Sequence, residues 1–484
     1  MLDSLRRRLA HLFGAENREF LAHGRNYLSG TLVANVLVAL SIPLLTQLLT
    51  PAEYGVLSVF TSSVVPILTV LLSLNLNSGI TRYYLEDPPD FDACLGSNLL
   101  FLLGFTGIMG VALFLLREPL AAFTKLDPDV FLAAVGVAML AGLIEIHLAL
   151  LNASRQSRWY SVLTVLRTGG TVALFLLLAV MLTERKYLGR VYADLIVSGV
   201  FAAYAAWSLG RMARFRIEWK HIRYVLIFSL PLIPHSISRF VLGYFDRIIL
   251  LQLTTKEATG LYSFAYDVGT AMNLVVLASA KAWRPIFFDD YRVGNFDKIN
   301  RMSRHYADYV YLAAVAIMLF AGDVALLLVD ARYYGALPLV PVIVLSYVFV
   351  FLYTLFFQYA AFRNRTGLIS LNTFIAGFAN IGLNYYFIPL YGYQVAAYTT
   401  LASFVLLFLL HYFNARVVLR EQVLALGHLL PNLLLTCGIT VATVLLARST
   451  LPYAAGLLLR FVLLGLAAWF LLLRKRAHHA APPV

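Results

Sequence analysis

The chain has 484 residues, of which 61% are hydrophobic and only 13% are charged, whereas about a quarter of the residues in a soluble domain carry a charge. The core of a soluble protein does not require so much apolar surface, so the composition indicates a protein that crosses the lipid bilayer many times. The net charge of +13 does not indicate nucleic-acid binding, because the basic residues lie in short loops between apolar runs and form no stripe with aromatics.

Residues 1–25 precede the first apolar run and predict an amphipathic helix that lies on the membrane surface. Leu5, Leu9 and Leu12 share one helical face, and the three arginines at 6–8 lie beside that face. The apolar run that follows is too long for the core of a signal peptide and lacks a small-residue cleavage site, so it predicts a first spanning helix.

Fourteen apolar runs are long enough to span a membrane, which predicts an all-α polytopic protein. They are joined by short links and lie at residues 26–48, 56–76, 95–116, 130–151, 160–182, 188–210, 224–251, 259–283, 306–329, 337–359, 366–388, 393–415, 426–447 and 455–473.

The distribution of Lys and Arg predicts the orientation of these spans. With the first segment placed inside, the inner segments hold 25 basic residues and the outer loops hold 8. Because positive loops stay on the cytoplasmic side, both termini are predicted to be cytoplasmic and the number of spans even.

Two stretches of the sequence match at an offset of 205 residues and predict an internal repeat. LLTQLLTPAEYGVLSVF (44–60) aligns with IILLQLTTKEATGLYSFA (248–265), and a weaker echo relates Arg82 to Arg284. The alignment matches four pairs of non-apolar residues: Gln47 with Gln252, Thr50 with Thr255, Gly55 with Gly260, and Ser58 with Ser263.

The repeats begin at spans 1 and 7, and an even separation keeps both in the same orientation. We therefore expect two parallel six-helix lobes followed by two extra helices. The expected parts are a surface segment, an N-lobe, a basic cytoplasmic linker, a C-lobe, the two last spans and a cytoplasmic tail, at 1–25, 26–210, 211–223, 224–415, 416–474 and 475–484.

Charged residues inside spans cost about 2.5–3.5 kcal/mol each on insertion scales, so each one needs an explanation. Span 7 carries His235, Arg239 and Asp246 at spacings that place them on one helical face, and span 8 adds Asp267 and Lys281. One interpretation is a cationic, water-filled cavity between the lobes that receives an anionic substrate. The alternative is that these groups pair with one another and fix the packing of the helices.

Arg239 is the predicted main contact of the substrate, because it lies near the middle of a span. Its predicted helpers are His235, Arg82, Lys281 and Arg284. Ion pairs of Asp246, Arg247 and Asp267 are predicted to hold the cavity and to close its outer side.

Prolines in the spans that begin each lobe are candidate hinges, because an interior proline kinks a helix. These are Pro43, Pro66, Pro231 and Pro234. The alternative is that membrane helices simply tolerate them. The two cysteines, Cys94 and Cys437, suggest neither a disulfide framework nor a metal site. No nucleotide loop or hydrolase motif is present, so we expect neither a cofactor nor an enzyme.

The sequence resembles the polysaccharide-transport (Wzx-like) branch of the multidrug/oligosaccharidyl-lipid/polysaccharide exporter superfamily over nearly its whole length. The resemblance depends on the order of several motifs: LLTPAEYGVLSVF followed by LNLNSGITRYY, SLPLIPHSISRFVLGYFDRIIL followed by ATGLYSFAYDVG, KAWRPIFF, RYYGALPLVPVIVLS, RNRTGLISLNTF and NYYFIPLYGYQVAAYTTLASF. The chain departs from the branch at 395–397, which read Val-Ala-Ala instead of Gly-Ala-Ala, and at Asn75 and Asn77, where a glycine is common.

The resemblance implies a twelve-helix core plus helices 13 and 14, and a flippase that carries an undecaprenyl-diphosphate-linked oligosaccharide to the outer leaflet for O-antigen, capsule or exopolysaccharide biosynthesis. It also implies a monomer in the bacterial inner membrane, with membrane lipid, a polysaccharide polymerase and export proteins as partners. The alternatives are a multidrug antiporter, a lipid II flippase and, from another class, a membrane enzyme that polymerises or ligates glycans.

Overall fold

The computed structural model describes residues 15–421, 424, 426–447, 449 and 451–473, which form helices joined by short links and contain no strand. Fourteen helices in this part of the chain are long and apolar enough to cross a membrane. We number them α1 to α14: Gly30–Leu48, Pro51–Ser73, Phe91–Leu115, Pro128–Ala153, Ser157–Met181, Tyr187–Gly210, Trp219–Tyr244, Lys256–Arg292, Phe296–Leu328, Ala331–Phe362, Thr366–Tyr391, Val395–Val418, Leu429–Leu446 and Tyr453–Leu471.

The predicted all-α fold is confirmed, and every predicted span corresponds to one of these helices. The first helix extends back to Ala15, so part of the predicted surface segment continues into it. Residues 1–14 and the predicted tail at 475–484 lie outside the described part of the chain.

The structure corrects two predicted spans by dividing them. The span predicted at 224–251 ends at Tyr244, and a separate helix, Asp246–Leu253, follows after a turn at Phe245. The span predicted at 56–76 ends at Ser73 and is followed by the helix Leu76–Leu85. Apolar composition indicates that a segment lies in the bilayer, but it does not indicate whether the helix is continuous.

The turn before the helix Leu76–Leu85 explains one departure from the family pattern. Leu74 and Asn75 both have left-handed backbone angles, with φ of 51° and 52°. This conformation suits glycine, and asparagine is among the side chains that tolerate it best. Asn75 therefore meets the same backbone requirement as the glycine that is common at this position.

Three of the four candidate hinge prolines lie at or beside irregular helical turns. Pro66 follows a π-helical turn, Val59–Val64, and Pro231 lies within a 3₁₀ turn, Leu230–Leu232, just before Pro234. Pro43 lies in an unbroken helix. A proline donates no backbone hydrogen bond, so such turns are where a helix adapts to it. Hinge motion at these positions stays a prediction.

The described residues form two compact units. The first contains the chain up to Ser41 and Phe60–Ser236, and the second contains Ile42–Val59 and the chain from Ile237 onward. The segment 42–59, which carries most of the first repeat, thus packs in the unit that contains the second repeat. The predicted lobe boundaries stay a prediction.

The first unit is organised around α4, which packs against α2, α3, α5, α6 and the helix Leu76–Leu85. Its most buried cluster combines residues of that short helix with residues of α3, α4, α6 and α7: Leu76, Ile80, Cys94, Leu95, Leu99, Leu102, Ile146, Leu150, Leu209 and Val225. Cys94 therefore belongs to the apolar core.

In the second unit α10 is the central helix, and most of its residues are buried against α8, α9, α12 and α13. Helices α13 and α14 attach to α9 through buried polar pairs. Asn432 donates to Asp308 at 2.7 Å, and Arg460 pairs with Asp323. In lipid such polar contacts give specificity to helix packing that apolar contacts alone do not provide.

Candidate functional site

The two repeated stretches meet in the second unit, where the helix Pro51–Ser58 crosses the helix Lys256–Gly269. Each helix begins at a threonine of the repeat. The Thr50 hydroxyl accepts from the backbone N–H of Glu53 at 3.3 Å, and the Thr255 hydroxyl accepts from that of Ala258 at 3.1 Å. The matched threonines are therefore N-caps in both copies of the repeat.

The matched glycines lie where these two helices cross. A Cβ atom at Gly55 would lie 2.2 Å from the carbonyl oxygen of Lys256, and one at Gly260 would lie 1.7 Å from that of Pro51. Neither position has room for a side chain, because backbone faces backbone. Both copies of the repeat therefore have a glycine at the point where this close crossing requires one.

Arg247 lies beside the crossing and is fully buried, with 0% of its side chain exposed. Its Nε donates to the Ser58 hydroxyl at 2.8 Å, and its Nη2 contacts Asp267 Oδ1 at 3.4 Å. Its Nη1 lies 3.7 Å from Asp246 Oδ1. The guanidinium also stacks over the ring of Tyr266 at 4.6 Å. This buried arginine therefore joins the first repeat to the second.

The two carboxylates of this cluster receive further hydrogen bonds from tyrosines. The hydroxyl of Tyr54 donates to Asp267 Oδ2 at 2.7 Å, and the hydroxyl of Tyr262 donates to Asp246 Oδ2. These partners compensate most of the buried charge, although Arg247 Nη1 and Asp246 Oδ1 make no hydrogen bond within the described part of the chain. We call these residues the buried arginine cluster: Tyr54, Ser58, Asp246, Arg247, Tyr262 and Asp267.

A chain of buried polar side chains continues from Asp246 into α11 and α12. The Thr400 hydroxyl lies 3.4 Å from Asp246 and 3.4 Å from the amide of Asn380. Asn384 donates to Asn380 at 3.0 Å and accepts from Thr399 at 2.5 Å. These contacts fix α11 and α12 to the helix Asp246–Leu253.

The other predicted cations of the second unit are exposed, in contrast to Arg247. Arg239, Lys281 and Arg284 form no ion pair and no hydrogen bond with any residue that the structure describes. The Arg284 guanidinium stacks over Phe288 at 5.5 Å. An unpaired charge on a spanning helix is too costly to face hydrocarbon, so these side chains need water or an anionic partner.

Arg82 lies in the first unit, on the helix Leu76–Leu85. Its guanidinium stacks over Phe228 at 4.7 Å and pairs with Glu86 at 3.2 Å. The pKa of the Glu86 carboxyl is lowered below its usual range mainly by the hydrogen bond from Tyr224 and secondly by the hydrogen bond from Arg82. Glu86 therefore stays ionised near neutral pH, and a ligand of Arg82 must compete with it.

The structure thus separates the predicted site residues into two groups. Asp246, Arg247 and Asp267 come together, whereas Arg239 lies beyond the turn at Phe245, and its pairing with Asp246 is not observed. His235, in the same helix as Arg239, is partly buried. The gating and substrate roles of these residues stay predictions.

Sequence reasoning missed three members of the buried arginine cluster. Ser58 was visible as a matched polar residue of the repeat, but no sequence signal linked it to Arg247. Tyr54 lies 213 residues from its partner Asp267, and Tyr262 was one aromatic residue among many in an apolar run. Only the folded chain identifies these hydrogen-bond partners.

Comparison with solved structures identifies the fold. A lipid II flippase, MurJ, in an inward closed conformation aligns with a TM-score of 0.68 and 12% identity over 92% of this chain and 97% of that chain. An inward-facing MATE family transporter of the MOP superfamily aligns with a TM-score of 0.64 and 16% identity over 80% and 96%. The chain therefore has the fold of MOP-superfamily transporters.

Within this class, the family profile described as "Polysaccharide biosynthesis protein" matches residues 24–289, and the chain belongs to that family. A curated relative, protein 1 of the Lsg locus of Haemophilus influenzae, is 24% identical over 273 residues, which are 54% of this chain. The match spans 64% of the length of that relative. The resemblance noted in the sequence is confirmed.

Proposed function

We propose that this protein is a flippase that moves an undecaprenyl-diphosphate-linked oligosaccharide from the cytoplasmic to the outer leaflet for surface-polysaccharide biosynthesis. Membership of the polysaccharide biosynthesis family supports the link to glycans, and the transporter fold supports movement across the membrane. The observation that carries the proposal is the presence of exposed, unpaired cations on spanning helices.

A diphosphate is the part of such a substrate that water solvates most strongly. Arginine replaces that solvation with two parallel, charge-assisted hydrogen bonds, and lysine replaces it with a point charge. Arg239 makes no ion pair with a described residue, so its guanidinium can give its full donor set to a phosphate. Arg239 is therefore the proposed main contact.

The remaining predicted substrate contacts differ in whether a carboxylate of the chain already pairs with them. Lys281 and Arg284 have no carboxylate partner among the described residues, whereas Arg82 shares its charge with Glu86. Lys281 and Arg284 are proposed to bind the substrate directly. Arg82 is proposed to bind it more weakly, because the substrate must first displace Glu86. His235, one turn from Arg239, is a further proposed hydrogen-bonding partner of the substrate.

The buried arginine cluster has a different proposed role. Its guanidinium lies against two carboxylates, so it has no free cation to offer to an anionic ligand. We propose that it keeps the helices Pro51–Ser58 and Lys256–Gly269 together when the outer side is closed, and that it separates when substrate leaves.

The proposed location is the bacterial inner membrane with both termini in the cytoplasm, as the asymmetry of Lys and Arg predicts. An inside-negative potential then favours outward movement of an anion by about 2.3 kcal/mol per charge per 100 mV. A surface-polysaccharide polymerase and export proteins are the proposed downstream partners.

The test is the leaflet in which the substrate accumulates. In host cells that lack the protein, the lipid-linked oligosaccharide should accumulate with its sugar on the cytoplasmic side, inaccessible to an external lectin or glycosidase. Expression of the protein should restore access. If instead the sugar is reached from outside but stays unpolymerised, the protein acts after the flipping step and the proposal is wrong. Accumulation of lipid II alone would indicate the other flippase specificity.

A further inference from the structure

The segment between α6 and α7, residues 211–218, begins with a turn and then runs without regular secondary structure across the beginning of α3 in the first unit. The backbone N–H of Arg214 donates to the carbonyl oxygen of Asp92 at 2.9 Å. The Ser97 hydroxyl donates to the carbonyl oxygen of Arg216 at 2.6 Å and accepts from the N–H of Glu218 at 3.1 Å. We call this segment the linker strap.

A glycine of α3 allows this close approach. A Cβ atom at Gly96 would lie 2.0 Å from the carbonyl oxygen of Arg214, so no other residue fits without moving the strap. Because the backbone of the strap makes these contacts, its side chains are held in place while most of them point away from the protein.

The side chains that the strap presents combine apolar and basic groups. Phe215 is 57% exposed and Ile217 is 72% exposed, and Met212 and Trp219 are exposed beside them. Exposed arginines interleave with these residues at 211, 214 and 216, and Arg223 follows as the fifth residue of α7. Apolar and basic side chains in alternation, with tryptophan, are typical of segments that lie in a membrane interface.

The carboxylates nearby neutralise only part of this charge. Lys220 pairs with Asp90 at 3.1 Å, and Glu218 pairs with Lys220 and Arg216. Arg214 and Arg223 form no ion pair with a described residue, and Arg211 only stacks on Trp207 at 5.1 Å. Three cations are thus available to anions from outside the chain.

The place of the strap indicates which anions these are. Since α6 ends at Gly210 and α7 begins at Trp219, the strap lies where two spanning helices leave the bilayer on the same side. At that depth the apolar side chains meet the acyl boundary and the arginines meet headgroups. We propose that the linker strap is a binding surface for anionic phospholipid headgroups of the leaflet that it faces. This proposal does not depend on the proposed transport substrate.

The test compares lipid binding by purified full-length protein in a neutral detergent, with native mass spectrometry to count bound lipids. Phosphatidylglycerol should bind in preference to phosphatidylethanolamine. The triple change Arg211→Gln, Arg214→Gln and Arg223→Gln should weaken phosphatidylglycerol binding by about tenfold or more, because each surface charge contributes to attraction for anionic lipid. The change leaves the backbone contacts of the strap intact.

A matched control removes three cations from other loops: Lys125→Gln, Arg185→Gln and Lys186→Gln. This control should bind phosphatidylglycerol as the unmodified protein does. A second variant, Phe215→Ser with Ile217→Ser, keeps the charges and should also lose phosphatidylglycerol, because the headgroup contact needs the apolar side chains in the interface.

Three results would overturn the proposal. The arginine variant could bind phosphatidylglycerol as tightly as the unmodified protein, or both lipids could bind equally. In the third, inorganic phosphate would displace the lipid at millimolar concentration while the Phe215 and Ile217 variant bound normally, which would identify a site for soluble anions.

Discussion

Arg247 and Arg239 lie eight positions apart in the sequence and occupy opposite environments. Arg247 is fully buried and meets two carboxylates, a hydroxyl and an aromatic ring. Arg239 is exposed and meets no carboxylate in the described structure. A charge whose partners are all within the chain serves the fold, whereas a charge without partners is available to a ligand. The two arginines should therefore respond to mutation in opposite ways.

The largest expected effect on stability comes from Arg247→Met. This change leaves the buried Asp246 and the partly exposed Asp267 without their cation, and removal of one partner of a buried ion pair costs about 3–5 kcal/mol. We expect low protein abundance and a lower melting temperature in detergent. Combining Arg247→Met with Asp246→Asn should recover part of the loss, because the second change removes a buried uncompensated charge. A variant as stable as the original would show that the cluster is not structural.

The next largest effect should come from the crossing of the repeats. Gly260→Ala places a methyl group against the carbonyl oxygen of Pro51, and such overpacking typically costs about 1–3 kcal/mol. Gly322→Ala is the matched control, because a Cβ atom there meets nothing within 4 Å. Melting temperatures of both variants check this expectation. An unchanged Gly260→Ala protein would mean that the two helices do not approach so closely.

A smaller effect is expected when the cluster loses one hydrogen bond. Tyr54→Phe removes the hydroxyl that donates to Asp267 but leaves Arg247 in place, and hydrogen bonds between membrane helices contribute about 0.6 to 1.7 kcal/mol. Tyr385→Phe is the control, because that hydroxyl donates to Gln252 at the exposed surface. In thermal unfolding, the melting temperature of Tyr54→Phe should be lower than that of Tyr385→Phe. The reverse ranking would remove Tyr54 from the cluster.

The smallest effect on stability should come from Arg82→Gln, because its pair with Glu86 is exposed and such pairs contribute little. The melting temperature should stay near that of the original protein between pH 5 and 8. The low pKa of Glu86 keeps the pair ionised in this range, and its contribution is lost only as the pH falls below the usual carboxyl range. Export should fall only in part. A large drop in stability would place Arg82 with Arg247 among the structural cations.

The sequence predicted the number and the positions of the spans well, because apolar length alone determines which segments enter lipid. It did not predict the turn at Phe245, because the run 224–251 as a whole is apolar enough to span a membrane, and apolar length does not show where a helix breaks. That turn changes the partner of Asp246: one continuous helix would place it on the face of Arg239, whereas the observed structure pairs it with its neighbour Arg247.

The repeat was also informative, but only for the backbone. The matched Thr and Gly residues occupy equivalent caps and crossing points in both copies. The charged residues of the cluster belong to the second copy alone, where Arg247 and Asp267 have Ile42 and Ser62 as counterparts at the same offset. A comparison of the repeats therefore predicts the crossing and gives no information about the ion pairs beside it.

The most direct test of the distinction between the two arginines is glycan export per folded protein molecule in Arg239→Ala and Arg247→Met cells. Surface glycan and membrane-inserted protein are measured in the same cultures, with Arg239→Lys as the conservative control. Arg239→Ala should insert and fold normally but export little or no glycan, and Arg239→Lys should retain part of the activity because it keeps the charge without the bidentate geometry. Arg247→Met should lose protein and export together. Normal export by a well-folded Arg239→Ala protein would contradict the account.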